Sequence, residues 1–396
     1  MPRLREESHQ FLTFAYPNHL NRQWRLWRAL GEAQSKCEHV AGAPLPPHLA
    51  EELSAIYMAK GVHATTAIEG NTLSEQEVAD ILARTADLPP SREYQGVEIK
   101  NVAAALVSID EAIKDGQPLH LTVESVKALN RQVLQGTEHE PNAKPGHFRL
   151  HQVVIGRYRA APSEDVEYLL DRLLTWINRE TLENSDADTQ FANAVIGAVT
   201  AHVYFAWIHP FGDGNGRTAR LIEALVLARS GLVPLPAINL LSDHYNKTRD
   251  RYRRMFDEAR AANDITPFIF YAVDGYLDGL RGQVEHIRHV TLRTSWVNYV
   301  HERMSEEPEG ATRRRRRDLV LALSNMGIVK RAAISQLNAP LAAAYAVKGE
   351  KTISRDLGRL VSLGLIVRVG RHHVRANSQL MEAFLARKAD PPELAD

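Results

Sequence analysis

Helical periodicity governs most of the chain. In "RQWRLWRALGEAQ" and "LAEELSAIYMAKGVHATTAIEG" apolar residues recur three or four positions apart, which gathers them on one face of an α-helix. "NTLSEQEVADIL" restarts a helix, because Ser74 and Glu77 stand at capping-box spacing, so Gly70 and Asn71 close the helix before it. Further helices are predicted at about 93–115, 122–135, 163–180, 188–207 and 216–230. The third is built on a stripe of Val166, Leu169, Leu170, Leu173 and Ile177, and Gly231 ends the last. A long helical pattern resumes after Pro236 and runs, with breaks, to about 304. One segment departs from this period. "GHFRLHQVVIGRYRAAP", from Gly146 to Pro162, mixes β-branched residues around Gly156 as a short hairpin does.

"MSEEPEGATRRRRR" is polar, contains Pro308 and Gly310, and switches from acidic to basic, so it reads as a linker with a boundary near 308. Beyond it, "RRRRRDLVLALSNMG", "RAAISQLN" and "EKTISRDLGRLVSLGLI" predict three helices, and "VRVGRHHVRAN" a two-stranded wing. This segment resembles a winged helix-turn-helix. Ile353, Leu357, Leu360 and Val361 form the core stripe of its third helix, which turns Lys351, Ser354, Arg355 and Arg359 outward. That is the layout of a recognition helix with contacts available to DNA, and it equally serves a protein contact. The arginine run 313–317 reads as a solvated helix start.

Composition sharpens the picture in several ways. At 396 residues, 44% hydrophobic and 24% charged, the chain is long enough for two or three units and far from the composition of disorder. No internal repeat is visible. The sequence reading finds no apolar run near the ~18 residues of a membrane span and no secretory core in "MPRLREESHQ", so it expects a cytoplasmic protein without membrane contact. Cys37 is the only cysteine, which excludes an internal disulfide and a thiolate metal cluster. Finally, a net charge of zero hides an asymmetry. From Ala311 to Arg375 fourteen Lys and Arg face three Asp and Glu, a local charge of +11 that the remainder balances with −11.

The chemistry is concentrated in "WIHPFGDGNGRTAR", residues 207–220. Three glycines ahead of a helix let the backbone turn tightly and converge its N–H groups on one point, an anion site reinforced by the helix N-terminus. Arg217 and Arg220 lie three apart in the first turn, so together they suit a polyphosphate. Asp213 in the same turn repels an anion unless Mg²⁺ bridges carboxylate and phosphate. His209 is the group there able to accept a proton near neutral pH. The Lys-Ser/Thr pair of a Walker A loop is missing.

"HPFGDGNGR" with Arg220 resembles the signature of Fic-domain proteins, whose typical reaction transfers AMP from ATP to a protein hydroxyl. The likeness extends over about 60–260, with "GHFR…VVIG" similar to the family's flap hairpin. It implies a mainly α fold: a Fic-type helical core with a small β-hairpin flap, plus the C-terminal winged helix. The implied division is 1–92 for an N-terminal helical region with an inhibitory helix, 93–306 for the catalytic core and trailing helices, and 307–396 for the winged module. It also implies that His209 is the base, that Asp213 holds Mg²⁺, that Gly214, Asn215 and Gly216 cradle phosphate oxygens, and that Arg217 and Arg220 bind the β- and γ-phosphates. Phe211 reads as a loop anchor and His202 as a buttress. The flap, Val153, Val154, Ile155 and Gly156, would pair with an extended target segment. Tyr245 and Tyr252 either line the base pocket or sit in the core.

"TTAIEGN" resembles the family's inhibitory motif through Thr65, Glu69 and Gly70, with Glu69 reaching Arg220 in competition with the γ-phosphate. The expectation is therefore Mg²⁺-dependent AMP transfer from ATP to a Ser, Thr or Tyr of a target protein, which is another protein or a second copy of this chain, held in check by Glu69. A homodimer is one arrangement consistent with this. Two rivals stand beside it: hydrolytic removal of AMP, and a DNA-binding regulator with a nucleotide-sensing core.

Overall fold

The computed structural model describes residues 9, 11–86, 88–117, 119–155, 158–183 and 186–382. The chain divides into two compact units, Met1–Val284 and Glu285–Asp396. The first is organised around α7 (Gln190–Ile208) and α8 (Asn215–Ala228), which pack on each other. α7 is apolar all round, with Phe191, Val195, Val199, Val203 and Phe205 buried on successive faces, so it belongs in the middle of a helical core. It is long and apolar enough to cross a membrane, where the sequence pattern suggests no such run, and 89% of that stretch is buried within the protein.

Around this pair stand α1 (Trp24–Ala41), α2 (Pro47–Ala67), α3 (Glu75–Leu82), α4 (Glu93–Lys114), α5 (Val123–Val133) and α6 (Val166–Asn178). The Ser74–Glu77 capping box forms: the Ser74 N–H donates to Glu77 Oε2 at 2.8 Å and the Glu77 N–H to Ser74 Oγ at 3.3 Å. Gly70 follows α2 at φ 106°, a conformation that needs glycine. The long pattern after Pro236 divides into α9 (Leu240–Lys247), α10 (Arg249–Ala262) and α11 (Thr266–Ser305), with Asn263 left-handed between the last two.

The hairpin is shorter than its sequence suggests. β1 (Val154–Ile155) pairs antiparallel with β2 (Tyr158–Arg159), and the Ala160 N–H to Val153 carbonyl bond of 3.1 Å extends the ladder. Gly156, at the predicted turn, lies outside the described residues. The stretch before β1 serves the motif loop instead: Phe148 bridges Phe211, and the Arg149 N–H donates to the Pro210 carbonyl at 3.0 Å.

The second unit holds the latter part of α11, α12 (Ala311–Ser324), β3 (Val329–Lys330), α13 (Ala339–Tyr345), α14 (Glu350–Ser362), β4 (Ile366–Val369) and β5 (His373–Ala376). The strands form one antiparallel sheet in the order β3-β5-β4. "RAAISQLN" is a 3-10 turn over Arg331–Gln336, not an α-helix, and the helix comes after it, started by Asn338, whose side chain accepts from the Leu341 N–H. The arginine run is neither linker nor wholly solvated. It lies inside α12, where Arg315 is buried and donates to Asp356 at 2.8 Å, while Arg316 bridges Asp356 at 2.8 Å and Glu307 at 2.9 Å. A carboxylate as buried as Asp356 requires such partners. Arg359, expected to be free for DNA, donates to Glu307 at 2.6 Å, and the Ser354 hydroxyl accepts from Arg331. Lys351 and Arg355 are exposed.

Candidate active site

α7 ends at His209, whose φ of 50° and ψ of 60° reverse the chain, and α8 starts at Asn215 after Gly214, also left-handed at φ 76°. A non-glycine residue in that conformation is strained and must be held by its surroundings. Arg149 does the holding. Nearly wholly buried, it donates from Nε to the His209 carbonyl at 2.7 Å, from Nη1 to His151 at 2.8 Å, and from Nη2 to Ala161 and Ile208. Asn130 of α5 ties the other side, donating to the Asp213 carbonyl at 3.0 Å and accepting from the Gly146 N–H at 3.0 Å. Asn215, expected to cradle phosphate, latches its own loop: its side chain accepts from the Phe211 N–H at 2.9 Å and donates to the Phe211 carbonyl at 2.8 Å.

His209, Asn215, Gly216, Arg220, Glu69 and Tyr252 line one cavity of about 490 Å³, closed over by Ile155 and Tyr158 of the hairpin. Burial pushes the His209 imidazole down to about 4, keeping it neutral. Its Nδ1 lies 3.4 Å from the Ala206 carbonyl, which places the hydrogen on Nδ1 and leaves Nε2 with a lone pair. Tyr158 is fixed by its hydroxyl, which donates to the Trp207 carbonyl at 2.6 Å, whereas Val154 and Ile155 stay exposed at the edge.

The guanidinium of Arg220 donates to Glu69 Oε1 at 2.6 Å and to the Thr65 carbonyl at 2.8 Å. Burial by itself would raise the Glu69 carboxyl; the Arg220 cation, with Arg217, outweighs it and holds the group below its ordinary value. A Cβ on Gly216 would stand 2.0 Å from that carboxylate oxygen, so glycine there is what admits Glu69. Arg217 is engaged elsewhere, donating to Glu98 of α4 at 3.0 Å and lying 3.5 Å from Asp213. Glu98 in turn accepts from Asn71, two residues after Glu69, at 2.9 Å. The segment from Thr65 to Asn71 thus touches both arginines of the loop, one directly and one through Glu98.

Tyr252 is in the cavity wall, but Tyr245 is not: it is fully buried behind Tyr252, stacked on it with ring centroids 4.7 Å apart. Asp213 is partly exposed and accepts from the Glu140 N–H at 3.3 Å. Among the described residues no group of three or more His, Cys, Asp or Glu could hold a metal alone. One accessible carboxylate in a glycine turn beside two arginines does fit a Mg²⁺ that would draw its other oxygens from a bound phosphate ligand and water. Sequence reasoning assigned no role to Arg149, although it stands in the quoted "GHFR", and missed Asn130 and Glu98, neither of which has a local motif to mark it.

Residues 120–227 match the Fic/DOC family. Over 249 residues the chain is 27% identical to the protein adenylyltransferase fic-1 of Caenorhabditis elegans, an overlap of 62% of this chain and 44% of the relative. Over 213 residues it is 30% identical to the protein adenylyltransferase fic-1 of Caenorhabditis briggsae, covering 53% of this chain and 38% of that one. The chain therefore spans less than half the length of these curated relatives. Among solved structures, a Fic family protein from Desulfovibrio desulfuricans superposes with a TM-score of 0.53 at 21% identity, over 89% of this chain and 94% of that chain. A fragment of Fic-1 from Caenorhabditis elegans does so with 0.53 at 24% identity, over 67% and 73%. These structural likenesses show a shared fold. The matched residues include α7, α8 up to Leu227 and the whole loop from His209 to Arg220, and over them this chain carries a Fic domain.

Proposed function

We propose that the protein transfers AMP from ATP to a hydroxyl side chain of a target protein, and that Glu69 restrains the reaction. The observation that carries this reading is the shared cavity: a neutral imidazole and the buried Arg220 face one space of about 490 Å³, next to an exposed hairpin edge. His209 Nε2 takes the proton of the target hydroxyl, the hydroxyl oxygen attacks the α-phosphorus, and the bond to the pyrophosphate oxygen breaks, so pyrophosphate leaves. The loop backbone at Gly214 and Gly216 and the guanidinium groups of Arg217 and Arg220 hold the phosphates, so catalysis rests on positioning and charge. Mg²⁺, held by Asp213, would neutralise phosphate charge. Val153, Val154 and Ile155 offer an edge for an extended target segment. While Arg220 is bonded to Glu69 it cannot hold the γ-phosphate, which leaves the α-phosphate out of line.

The test is incubation with Mg²⁺ and ATP labelled at either the α- or the γ-phosphate, followed by denaturation and mass spectrometry. Covalent gain of an AMP unit, with the α-label retained, is expected. Retention of the γ-label instead would make the protein a phosphotransferase and end this reading. The ionised Glu69 carboxylate in the same cavity as His209 also supports hydrolytic removal of AMP, with Glu69 directing water. For the second unit we infer a winged helix-turn-helix whose exposed Lys351 and Arg355 face DNA.

A further inference from the structure

On α4, Gln95 and Glu98 stand three positions apart and so share one face, and both hold the segment that follows Glu69. The buried Asn71 donates from Nδ2 to the Gln95 carbonyl at 3.1 Å and to Glu98 Oε2 at 2.9 Å, while its Oδ1 accepts from the Leu73 N–H at 3.1 Å. The Thr72 hydroxyl donates to Gln95 Oε1 at 3.1 Å. Residues 71 and 72 are thus fastened to α4, just beyond the carboxylate that meets Arg220.

The other oxygen of Glu98 reaches the glycine loop. Oε1 accepts from Arg217 Nη1 at 3.0 Å, with the Arg217 side chain 7% exposed and that of Glu98 19%. Among the described residues, Arg220 lines the cavity with His209 and Arg217, turned to Glu98, does not. The Nε–H of each arginine is buried with no hydrogen-bond partner among the described residues, so neither guanidinium has all its donors used. A buried donor without an acceptor is costly. Glu98 offers Arg217 one oxygen because the other serves Asn71, whereas a phosphate can offer two to the same guanidinium.

We propose that Glu98 is a second restraint on the site. Its carboxylate holds Arg217 away from the cavity and, through Asn71, fastens the segment that carries Glu69, so one anion on α4 keeps both loop arginines from a polyphosphate. A triphosphate that gathers Arg217 and Arg220 displaces Glu98 and Glu69 together; a nucleoside monophosphate displaces neither. This rests on the reading above, in which Glu69 restrains the site and the two arginines take the terminal phosphates.

The experiment titrates the full chain calorimetrically with ATP and with AMP. Glu98→Gln keeps the size of the side chain, but its amide nitrogen cannot accept from either partner, and Asp213, 3.5 Å from Arg217 Nη2, remains as an anion beside that guanidinium. ATP should bind about tenfold more tightly, the scale of one hydrogen bond to a charged group, with AMP within about twofold of the unsubstituted chain. Asn71→Ala removes the fastening alone and should tighten ATP about threefold, because Thr72 stays on Gln95. Beside Glu69→Gly the two variants part. Asn71→Ala should add nothing there, since no carboxylate is left to fasten, while Glu98→Gln should still tighten ATP by freeing Arg217. Weaker ATP binding in Glu98→Gln would mean that Glu98 orients Arg217 for the phosphates, and it overturns the proposal. Unchanged ATP binding, equal changes for ATP and AMP, or an Asn71→Ala effect that persists beside Glu69→Gly does the same. Should Glu98→Gln fail to fold, Asn71→Ala decides, because it leaves the ion pair with Arg217 in place. A Glu69→Gly chain that binds ATP no more tightly than the unsubstituted one removes the Glu69 reading and this proposal with it; one that binds ATP more tightly, with no further gain from Glu98→Gln, refutes this proposal alone.

Discussion

Arg220 and Glu69 are 151 positions apart in sequence, yet the guanidinium of one donates to the carboxylate of the other at 2.6 Å in the wall of the cavity that His209 shares. The pair is made by the group that should clamp a phosphate and by the end of a helix whose Thr65 carbonyl also accepts from that guanidinium. Glu69→Gly should therefore raise the initial rate of AMP incorporation by about tenfold or more, given the ~1.5–3 kcal/mol of a hydrogen bond to a charged group. Arg220→Ala breaks the same pair but removes the clamp, so it should not activate. Rates for wild type, both single variants and the double variant, at matched ATP and Mg²⁺, check this. A Glu69→Gly enzyme no faster than wild type at any ATP concentration would reduce "TTAIEGN" to a helix end.

The protonation of His209 gives a second expectation. Burial lowers its imidazole from 6.5 to about 4, so between those values the folded chain binds fewer protons at this site than the unfolded chain. The stability contributed by the neutral, buried ring is full above about 6.5 and is lost as pH falls through about 4. On the proposed reaction, the ring is correspondingly available as a base well below neutrality. For the Glu69→Gly enzyme, the acid limb of kcat/KM should fall below pH 6. A limb centred near 6.5, and lost in His209→Ala, would mean that the ring titrates as in water.

Arg149 tests how the strained turn at His209 is kept. Its donors serve four backbone carbonyls, two of them at the end of α7. Arg149→Met keeps much of the stem and leaves those carbonyls unpaired, which should cost about 3–5 kcal/mol of unfolding free energy and lower kcat more than it raises KM. Urea denaturation with steady-state kinetics measures both. A loss under about 1 kcal/mol would show that the turn holds itself.

What is legible in the sequence follows from where the chemistry lies along it. His209 to Arg220 put an imidazole, glycines and cations in one short stretch, so spacing alone gathers them in one loop. Glu69 is readable only because its segment resembles a known motif; no period or composition pairs it with a residue 151 positions away. Asn130 and Glu98 are not legible, since their bonds to the loop, to Asp213 and Arg217, span 83 and 119 positions and are made by residue types common on any helix; Arg149 stands in "GHFR", but nothing there marks its bond to His209, 60 positions away. The same limit explains Asn215 and Tyr245: their neighbourhood can be read from spacing, but which way each side chain is satisfied depends on Phe211 and Glu223. In the second unit the arginine run looks solvated because its acceptors, Asp356 and Glu307, are supplied from α14 and from the residue pair after α11.

That last network separates two arginines of α14 that look equivalent in sequence. Arg355 is exposed, whereas Arg359 donates to the nearly buried Glu307 at 2.6 Å, and Glu307 also accepts from Arg316 at 2.9 Å. The two should therefore respond differently to the same change. Arg355→Ala should weaken duplex DNA binding evenly across sequences and reduce the salt slope by about one, with thermal stability unchanged, as for a phosphate contact. Arg359→Ala leaves Glu307 with Arg316 as its remaining partner, so it should lower the melting temperature of the unit and affect DNA binding less at temperatures where the unit stays folded. Glu307→Gln provides the control, because it loosens Arg359 without removing a cation. It should strengthen DNA binding if Arg359 is then free to reach a phosphate. Fluorescence anisotropy with a labelled duplex over a range of salt, alongside thermal melts of each variant, reads both quantities. Equal losses of DNA affinity for Arg355→Ala and Arg359→Ala, with equal stability, would mean that the Glu307 pair exerts no hold in solution; no binding by the full chain at low salt would remove DNA as the partner of this unit.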